Sequence, residues 1–268
     1  MGQHFLSSPG WQNRILETLP LAPNERWLEI GAGHGEMTRL LAARGQSVVA
    51  IEADATLAAN LQASIEASPT SWPGVEIVAG SVLDLDLAKI GGQKFRVYGN
   101  LPYYITSPIL HHLFRHIDQI ASIHVVIQLE VAARIAARPG RRDYGYLSTA
   151  CQFYTRPEIV FRIPPGAFRP PPKVTSALLR MDPPGERAQI VRQFGIRDDD
   201  RFLRFVQLCF SHKRKTLRNN LLATASDAEI QDALATTTLS SSARAEQLSL
   251  SQFAALLTAI AAKHDAEK

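Results

Sequence analysis

This chain of 268 residues has little cysteine, no long apolar run and a small net charge. Its two cysteines, Cys151 and Cys209, lie far apart in apolar surroundings, without metal-type spacing. Buried free thiols are therefore expected, well ahead of a disulfide, and no metal site. Apolar stretches such as ASIHVVIQL are short and interrupted, which speaks against a membrane-spanning helix. The opening MGQHFLSSPG lacks a basic start followed by an apolar core, so no secretory signal is expected. A myristoylation signal would need Ser or Thr where Leu6 stands. These absences imply a cytoplasmic protein with no membrane partner. No internal repeat or low-complexity tract is present, and a hydrophobic fraction of 46% with 20% charged residues suits an ordered globular chain.

Acidic residues are missing from two stretches, and there the cations gather. Val131 to Arg142 carries Arg134, Arg138, Arg141 and Arg142; Arg201 to Arg218 carries Arg201, Arg204, Lys213, Arg214, Lys215 and Arg218. A net charge of +4 is too small to prove a nucleic-acid partner, but clustering of this kind makes an electrostatic footprint for polyanions. Each cluster alone reads equally well as a solvated helix face.

Up to about Met181, β-rich runs alternate with helical patterns. RWLEIGAG, SVVAIEA, GVEIVAG, KFRVYGN and SIHVVIQLE are separated by segments such as EMTRLLAARG and SPILHHLFRHI. That alternation predicts a parallel sheet covered on both faces. YTRPEIVFRIPP and VTSALLRMDP read as late strands with no helix between them, an antiparallel hairpin joined by the stiff loop PPGAFRPPPKV. Beyond Arg187 the segments read helical, including one long run from DRFLRFVQLCF through SHKRKTLRNNLL. The expected division is a first domain over 1–183 and a small helical domain over 184–268, with the boundary between Asp182 and Glu186.

Two strand ends carry the chemistry. LEIGAGHGEMT places Gly31, Gly33 and Gly35 between a strand and a helix, where glycine lets the backbone approach a ligand. Glu52 ends the next strand, where a carboxylate can accept hydrogen bonds from a ribose diol. The G-x-G-x-G spacing differs from the dinucleotide pattern, which disfavours NAD without excluding it. No phosphate-binding lysine follows the glycines, so S-adenosylmethionine fits best among nucleoside cofactors.

The run GNLPYYITSPIL then supplies an acceptor-side loop. The exocyclic amine of a base such as adenine is a weak nucleophile, because its lone pair is delocalised into the ring. The side-chain carbonyl of Asn100 and the backbone carbonyl of Leu101 can accept its two N–H bonds and turn the lone pair outward. Pro102 stiffens the turn, and Tyr103 offers a flat face to an extruded base. Tyr104 is expected to pack inward. No strong general base is needed, and alignment and electrostatics are expected to dominate.

GQHFL, EIGAGHGEMT, VVAIEAD, GNLPYYITSPIL, FRPPPKVTSAL and FSHKRKTLRNN together resemble the small-subunit ribosomal RNA adenine N6,N6-dimethyltransferases over nearly the whole chain. The resemblance implies a Rossmann-like S-adenosylmethionine-dependent methyltransferase domain, its mostly parallel seven-stranded sheet closed by an antiparallel hairpin, plus a small all-helical rRNA-binding domain. It implies dimethylation of two adjacent adenosines near the 3′ end of small-subunit rRNA, within a pre-30S particle, by a monomer. His4 and Leu6 would lie by the cofactor; Gly31, Gly33, Glu52, Ser81 and Asn100 would bind it. Phe168, a core residue on composition alone, would stack on the target base opposite Tyr103, and Lys213, Arg214, Lys215 and Arg218 would contact rRNA. The family usually carries about a dozen residues rich in Lys and Arg before its first motif, where this chain opens on the motif itself. Either the start lies upstream or a basic arm has been lost. The family also commonly has an Asp facing the cofactor adenine, where alignment puts Ser81; Asp84 lies three residues on. The alternative readings are a large-subunit rRNA adenine N6-methyltransferase, against which FSHKRKTLRNN argues, and an assembly factor whose methyl transfer is vestigial.

Overall fold

The computed structural model describes residues 4–22, 25–90 and 94–266. Met1 and the first two residues of the GQHFL motif, Gly2 and Gln3, lie outside the described residues. The chain divides into two compact units.

The first unit spans residues 1–132 and 157–183. Its strands are β1 (Phe5–Leu6), β2 (Arg26–Ile30), β3 (Ser47–Glu52), β4 (Val75–Ala79), β5 (Phe95–Asn100), β6 (Ile120–Gln128), β7 (Arg156–Ile163), β8 (Phe168–Arg169) and β9 (Ser176–Asp182). Seven of them form one sheet in the order β4-β3-β2-β5-β6-β9-β7. The strands from β4 to β6 are parallel, and β9 returns antiparallel to β6. Buried runs such as Val48, Val49, Ala50 and Ile51 need apolar side chains on both faces, as parallel sheets do. Pro157 lacks an N–H and sits on edge strand β7, where that loss is tolerated. β1 and β8 form a separate antiparallel pair, Leu6 opposite Phe168. The expected sheet and closing hairpin are both present.

Helices α1 (Pro9–Thr18), α2 (Glu36–Ala42), α3 (Ala55–Ala67) and α4 (Thr106–Phe114) lie in this unit. α3 starts where Asp54 accepts hydrogen bonds from the amides of Thr56 and Leu57, at 2.9 and 3.2 Å. The register lines up the strand ends: Ile30 pairs with Ile51 on one side and with Gly99 on the other. Gly31, Glu52 and Asn100 therefore leave the sheet side by side, where chain order reverses between β2 and β5 and ligands of open α/β sheets bind. Gly99 permits that closeness, because a Cβ there would come within 2.9 Å of the Ile30 carbonyl oxygen.

The second unit comprises residues 133–156 and 184–268. The chain enters it within α5 (Leu129–Ile135) and continues through α6 (Tyr146–Tyr154) before returning to β7. Its remaining helices are α7 (Arg187–Phe194), α8 (Asp199–Cys209), α9 (Leu217–Leu221), α10 (Asp227–Thr236) and α11 (Leu250–Ala266). The expected helical domain began at 184; the observed unit also takes in 133–156. The physical reason is aromatic packing. Phe153 of α6 lies 5.1 Å from Phe202 of α8, and Tyr144 lies 6.1 Å from Phe210. The apolar face of α8, with Phe202, Phe205, Val206 and Cys209, is spaced for one side of a helix. The long helix expected through Arg218 stops instead at Cys209, and Lys213 to Lys215 sit in a loop. Among the described residues, no helix is long and apolar enough to cross a membrane.

Candidate active site

A cleft of about 920 Å³, open mouth included, lies over the carboxyl ends of β2, β3 and β5. Glu52 stands at its edge, 4% exposed. One carboxylate oxygen accepts the Gly33 N–H at 2.7 Å and the other accepts the Asp54 N–H at 3.0 Å. A carboxylate offers about four lone-pair sites, so the two amides fix its plane and leave acceptor capacity for further donors. Gly33 can point its amide there because its φ is +59°; a Cβ at this position would meet the Phe5 ring at 3.0 Å.

Asn100 ends β5 with its amide held from behind. Its Nδ2 donates to the His4 backbone carbonyl at 2.8 Å, which makes Oδ1 the remaining acceptor at the cleft. Leu101 buries its side chain and donates its N–H to the Val126 carbonyl at 3.1 Å, anchoring the peptide that follows. Pro102 begins a single tight turn, closed by bonds from the Ile105 amide and the Thr106 hydroxyl to the Pro102 carbonyl, both 3.2 Å. Tyr103 is half-buried, its ring stacked 5.8 Å from that of His4 and its hydroxyl 2.8 Å from Ser176 Oγ. His4 in turn donates from Nδ1 to the Pro170 carbonyl at 2.7 Å. Burial raises the Tyr103 hydroxyl pKa above its ordinary value, partly offset by the bond to Ser176.

His4, Gly31, Gly33, Glu52, Ser81, Asn100, Leu101, Pro102 and Tyr103 all line this cleft. Two expected residues do not. Leu6 turns into the core and Phe5 lines the cleft in its place, because neighbours on a strand face opposite sides. The Leu6 carbonyl is also taken, by Gln12 Nε2 at 2.6 Å. Phe168, opposite Leu6 on β8, is 2% exposed in the same core cluster and offers no face to a base. Tyr104, expected to pack inward, is 77% exposed at the cleft mouth. Ser81 lies on the wall while Asp84 is exposed and outside it; Ser81 Oγ accepts the Leu83 N–H at 3.2 Å. Phe5, Ile51, Val82 and Ile109 are among the wall residues that were not expected. Strand alternation was the one signal that could have found Phe5.

Adjacent to the cleft, Glu29 of β2 is buried and has one carboxylate oxygen without a hydrogen-bond partner among the described residues. Burial pushes its pKa up to about 8, and the neighbouring Glu36 and Glu52 carboxylates add to the rise. In the second unit, Lys213, Arg214 and Lys215 are exposed on the loop after α8. Arg218 differs: its guanidinium holds Asp227 at both carboxylate oxygens, Nη2 at 2.7 Å. Exposed Arg138, Arg141 and Arg142 sit on the loop before α6, close in sequence to Tyr144, whose ring packs against Phe210 beside the other loop.

An open cleft above a mostly parallel sheet, with bare backbone at one strand end and a buried carboxylate at the next, marks a Rossmann-like methyltransferase. A dimethyladenosine transferase from Plasmodium falciparum has the same fold, with a TM-score of 0.77 over 97% of this chain and 98% of its own at 21% identity. The 23S rRNA methyltransferase ErmE gives 0.70 over 96% and 99% at 26% identity. The particular family follows from the sequence match. The family model "Ribosomal RNA adenine dimethylase" covers residues 1–262. A ribosomal RNA small subunit methyltransferase A from Acidobacterium capsulatum is 42% identical over 259 residues, 96% of this chain and 88% of its own. Its counterpart from Xylella fastidiosa is 40% identical over 261 residues, 96% and 94% of the two chains. This chain belongs to the ribosomal RNA adenine dimethylase family.

Proposed function

We propose that the protein transfers methyl groups from S-adenosylmethionine to the N6 amines of two adjacent adenosines near the 3′ end of small-subunit rRNA. The donor set suits that cofactor: Glu52 retains lone pairs for ribose hydroxyls, Gly31 and Gly33 present backbone without side chains, and Ile51 and Val82 supply an apolar wall. When bound, the sulfonium supplies an activated methyl group. The single observation that carries the reading is the locked amide of Asn100. With Nδ2 committed to His4, Oδ1 can accept one N–H of the target amine, and the Leu101 carbonyl is assigned the other. Accepting both bonds sharpens the amine's lone pair toward the donor, and preorganised acceptors cost no reorganisation during reaction. Tyr103, held by His4 and Ser176, gives the base a fixed flank.

Lys213, Arg214 and Lys215, with Arg138, Arg141 and Arg142, are assigned to rRNA phosphates, which provide most of the affinity in such interfaces. Arg218 is assigned to holding Asp227 and the start of α10 instead. The pre-30S particle as working substrate, the cytoplasm as location and a monomer as the active form complete the reading. The test is methyl incorporation by wild-type and Asn100→Ala protein into unmethylated small-subunit particles, large-subunit RNA and naked small-subunit transcript. Incorporation confined to the small-subunit particle and lost with Asn100→Ala supports the proposal; preference for large-subunit RNA overturns it.

A further inference from the structure

The two adjacent tyrosines of the turn after β5 are placed in opposite ways. Tyr103 is fixed at both ring and hydroxyl. Tyr104 has no hydrogen-bond or ring partner among the described residues and is 77% exposed, more than the exposed Leu222 at 51% or Val174 at 44%. Its backbone is nonetheless tightly held, because the bonds from Ile105 and Thr106 to the Pro102 carbonyl close the turn around it. A large aromatic ring thus stands on a rigid support at the rim of the cleft that contains Asn100.

We propose that Tyr104 is a stacking platform for an unpaired nucleobase adjoining the one presented to Asn100. The proposal rests on the RNA substrate given above and adds a second base-binding position to it. Proteins that read single-stranded RNA splay its bases out and stack them on aromatic side chains. Extruding one base into a cleft leaves its neighbour with an uncovered face, and a ring beside the cleft mouth can cover it. Three features favour this occupant. Tyr104 lines the cleft at its mouth and is 77% exposed, so a large area of ring is open to a ligand there. The exposed apolar surface here is one ring rather than a broad patch, the size of a base rather than of a protein interface. The ring also follows Tyr103 directly in the chain, so two consecutive nucleotides can meet two consecutive side chains.

The experiment uses the full chain with a single-stranded oligonucleotide of the target sequence, carrying fluorescent 2-aminopurine beside the target adenine, together with unmethylated small-subunit particles. Stacking on Tyr104 is expected to quench the probe on binding by wild-type and Tyr104→Trp protein, and Tyr104→Ala should lose that quenching. Loss of one base–aromatic stack is expected to raise KM for the particle roughly tenfold, and Tyr104→Trp should keep it near wild type. Affinity for S-adenosylmethionine, read by calorimetry without RNA, should stay unchanged in Tyr104→Ala. A marked loss of that affinity would assign the ring to the cofactor and overturn the proposal. So would unaltered quenching and KM in a Tyr104→Ala protein that still binds RNA. Wild-type protein that fails to bind small-subunit RNA would remove the proposed function itself, a result distinct from an unresponsive Tyr104→Ala.

Discussion

The cleft of the first unit and the cationic loops of the second are built by opposite means. At the cleft, the two key side chains are aimed by named backbone partners: Asn100 by His4, and Glu52 by Gly33 and Asp54. On the loops, Lys213, Arg214 and Lys215 are exposed flexible cations whose contribution is summed charge. A site built from directed acceptors should fail at the loss of one atom. A surface built from summed charge should fail by fractions, each exposed cation contributing a screened and graded amount.

The sharpest break of that contrast is Asn100→Ala. Removing one preorganised group that acts on the reacting centre costs about a hundredfold to a thousandfold in rate in comparable sites. Methyl transfer by Asn100→Ala should drop at least that far in single-turnover assays, while RNA affinity and thermal melting stay near wild type. Rates within a few fold of wild type would show that the loop does not act on the amine.

Next comes the loop after α8. Replacing Lys213, Arg214 and Lys215 with Gln should weaken rRNA binding and flatten its dependence on salt, by roughly one unit of log–log slope for each phosphate contact removed. Arg218→Gln is the internal control. Because Arg218 is committed to Asp227, it should leave the slope unchanged. If Arg218→Gln alone flattens the slope, the ion pair opens on RNA and Arg218 belongs with the phosphate-binding cations.

A smaller effect is expected at Ser81, whose hydroxyl lines the cleft. Charge-assisted hydrogen bonds exceed neutral ones by about 1 kcal/mol, which sets a ceiling of about fivefold on affinity. Ser81→Asp should tighten cofactor binding several-fold, and Asp84→Ala, at an exposed position outside the wall, should leave it alone. The reverse pattern in calorimetric titrations would make Asp84 the residue that faces the adenine.

A separate contrast concerns two buried carboxylates on neighbouring strands. Glu52 has both oxygens bonded to backbone amides, whereas Glu29 keeps one oxygen unpartnered among the described residues and a pKa raised by burial to about 8. A carboxyl whose folded pKa lies above its ordinary 4.5 releases its proton first in the unfolded chain. Its stabilising contribution is therefore full below pH 4.5 and declines as pH climbs toward 8. Glu29→Gln removes the titration, so denaturant melts at pH 5 and pH 8 should differ less for the variant than for wild type. An equal difference in both would mean that Glu29 is already ionised in the fold.

Much of the cleft is legible in the amino-acid sequence, and the residues show why. Gly33, Glu52 and Asn100 sit at strand ends, where local backbone demands and the order of β-rich runs decide what a side chain can reach. Leu6 and Phe168 are not legible in that way. Each occupies a two-residue strand whose facing depends on pairing with the other, from a distant part of the chain. Tyr104 escapes because two adjacent tyrosines carry no periodic signal, and the turn that divides them is closed by Pro102 and Thr106. Arg218 and Lys215 look alike in a basic run, yet only Arg218 meets Asp227 across the start of another helix.

The sequence by itself determined the alternation of strands and helices, the glycine turn, the strand-end carboxylate and the Asn100 loop, because each rests on local conformational preference or short-range spacing. Only the tertiary structure decided which neighbours face the cleft, which cations remain unpaired and that residues 133–156 join the helical unit. Those choices come from long-range burial and pairing, where side chains such as Tyr144 and Phe210 meet across more than sixty residues of chain and release apolar surface from water only once both are folded.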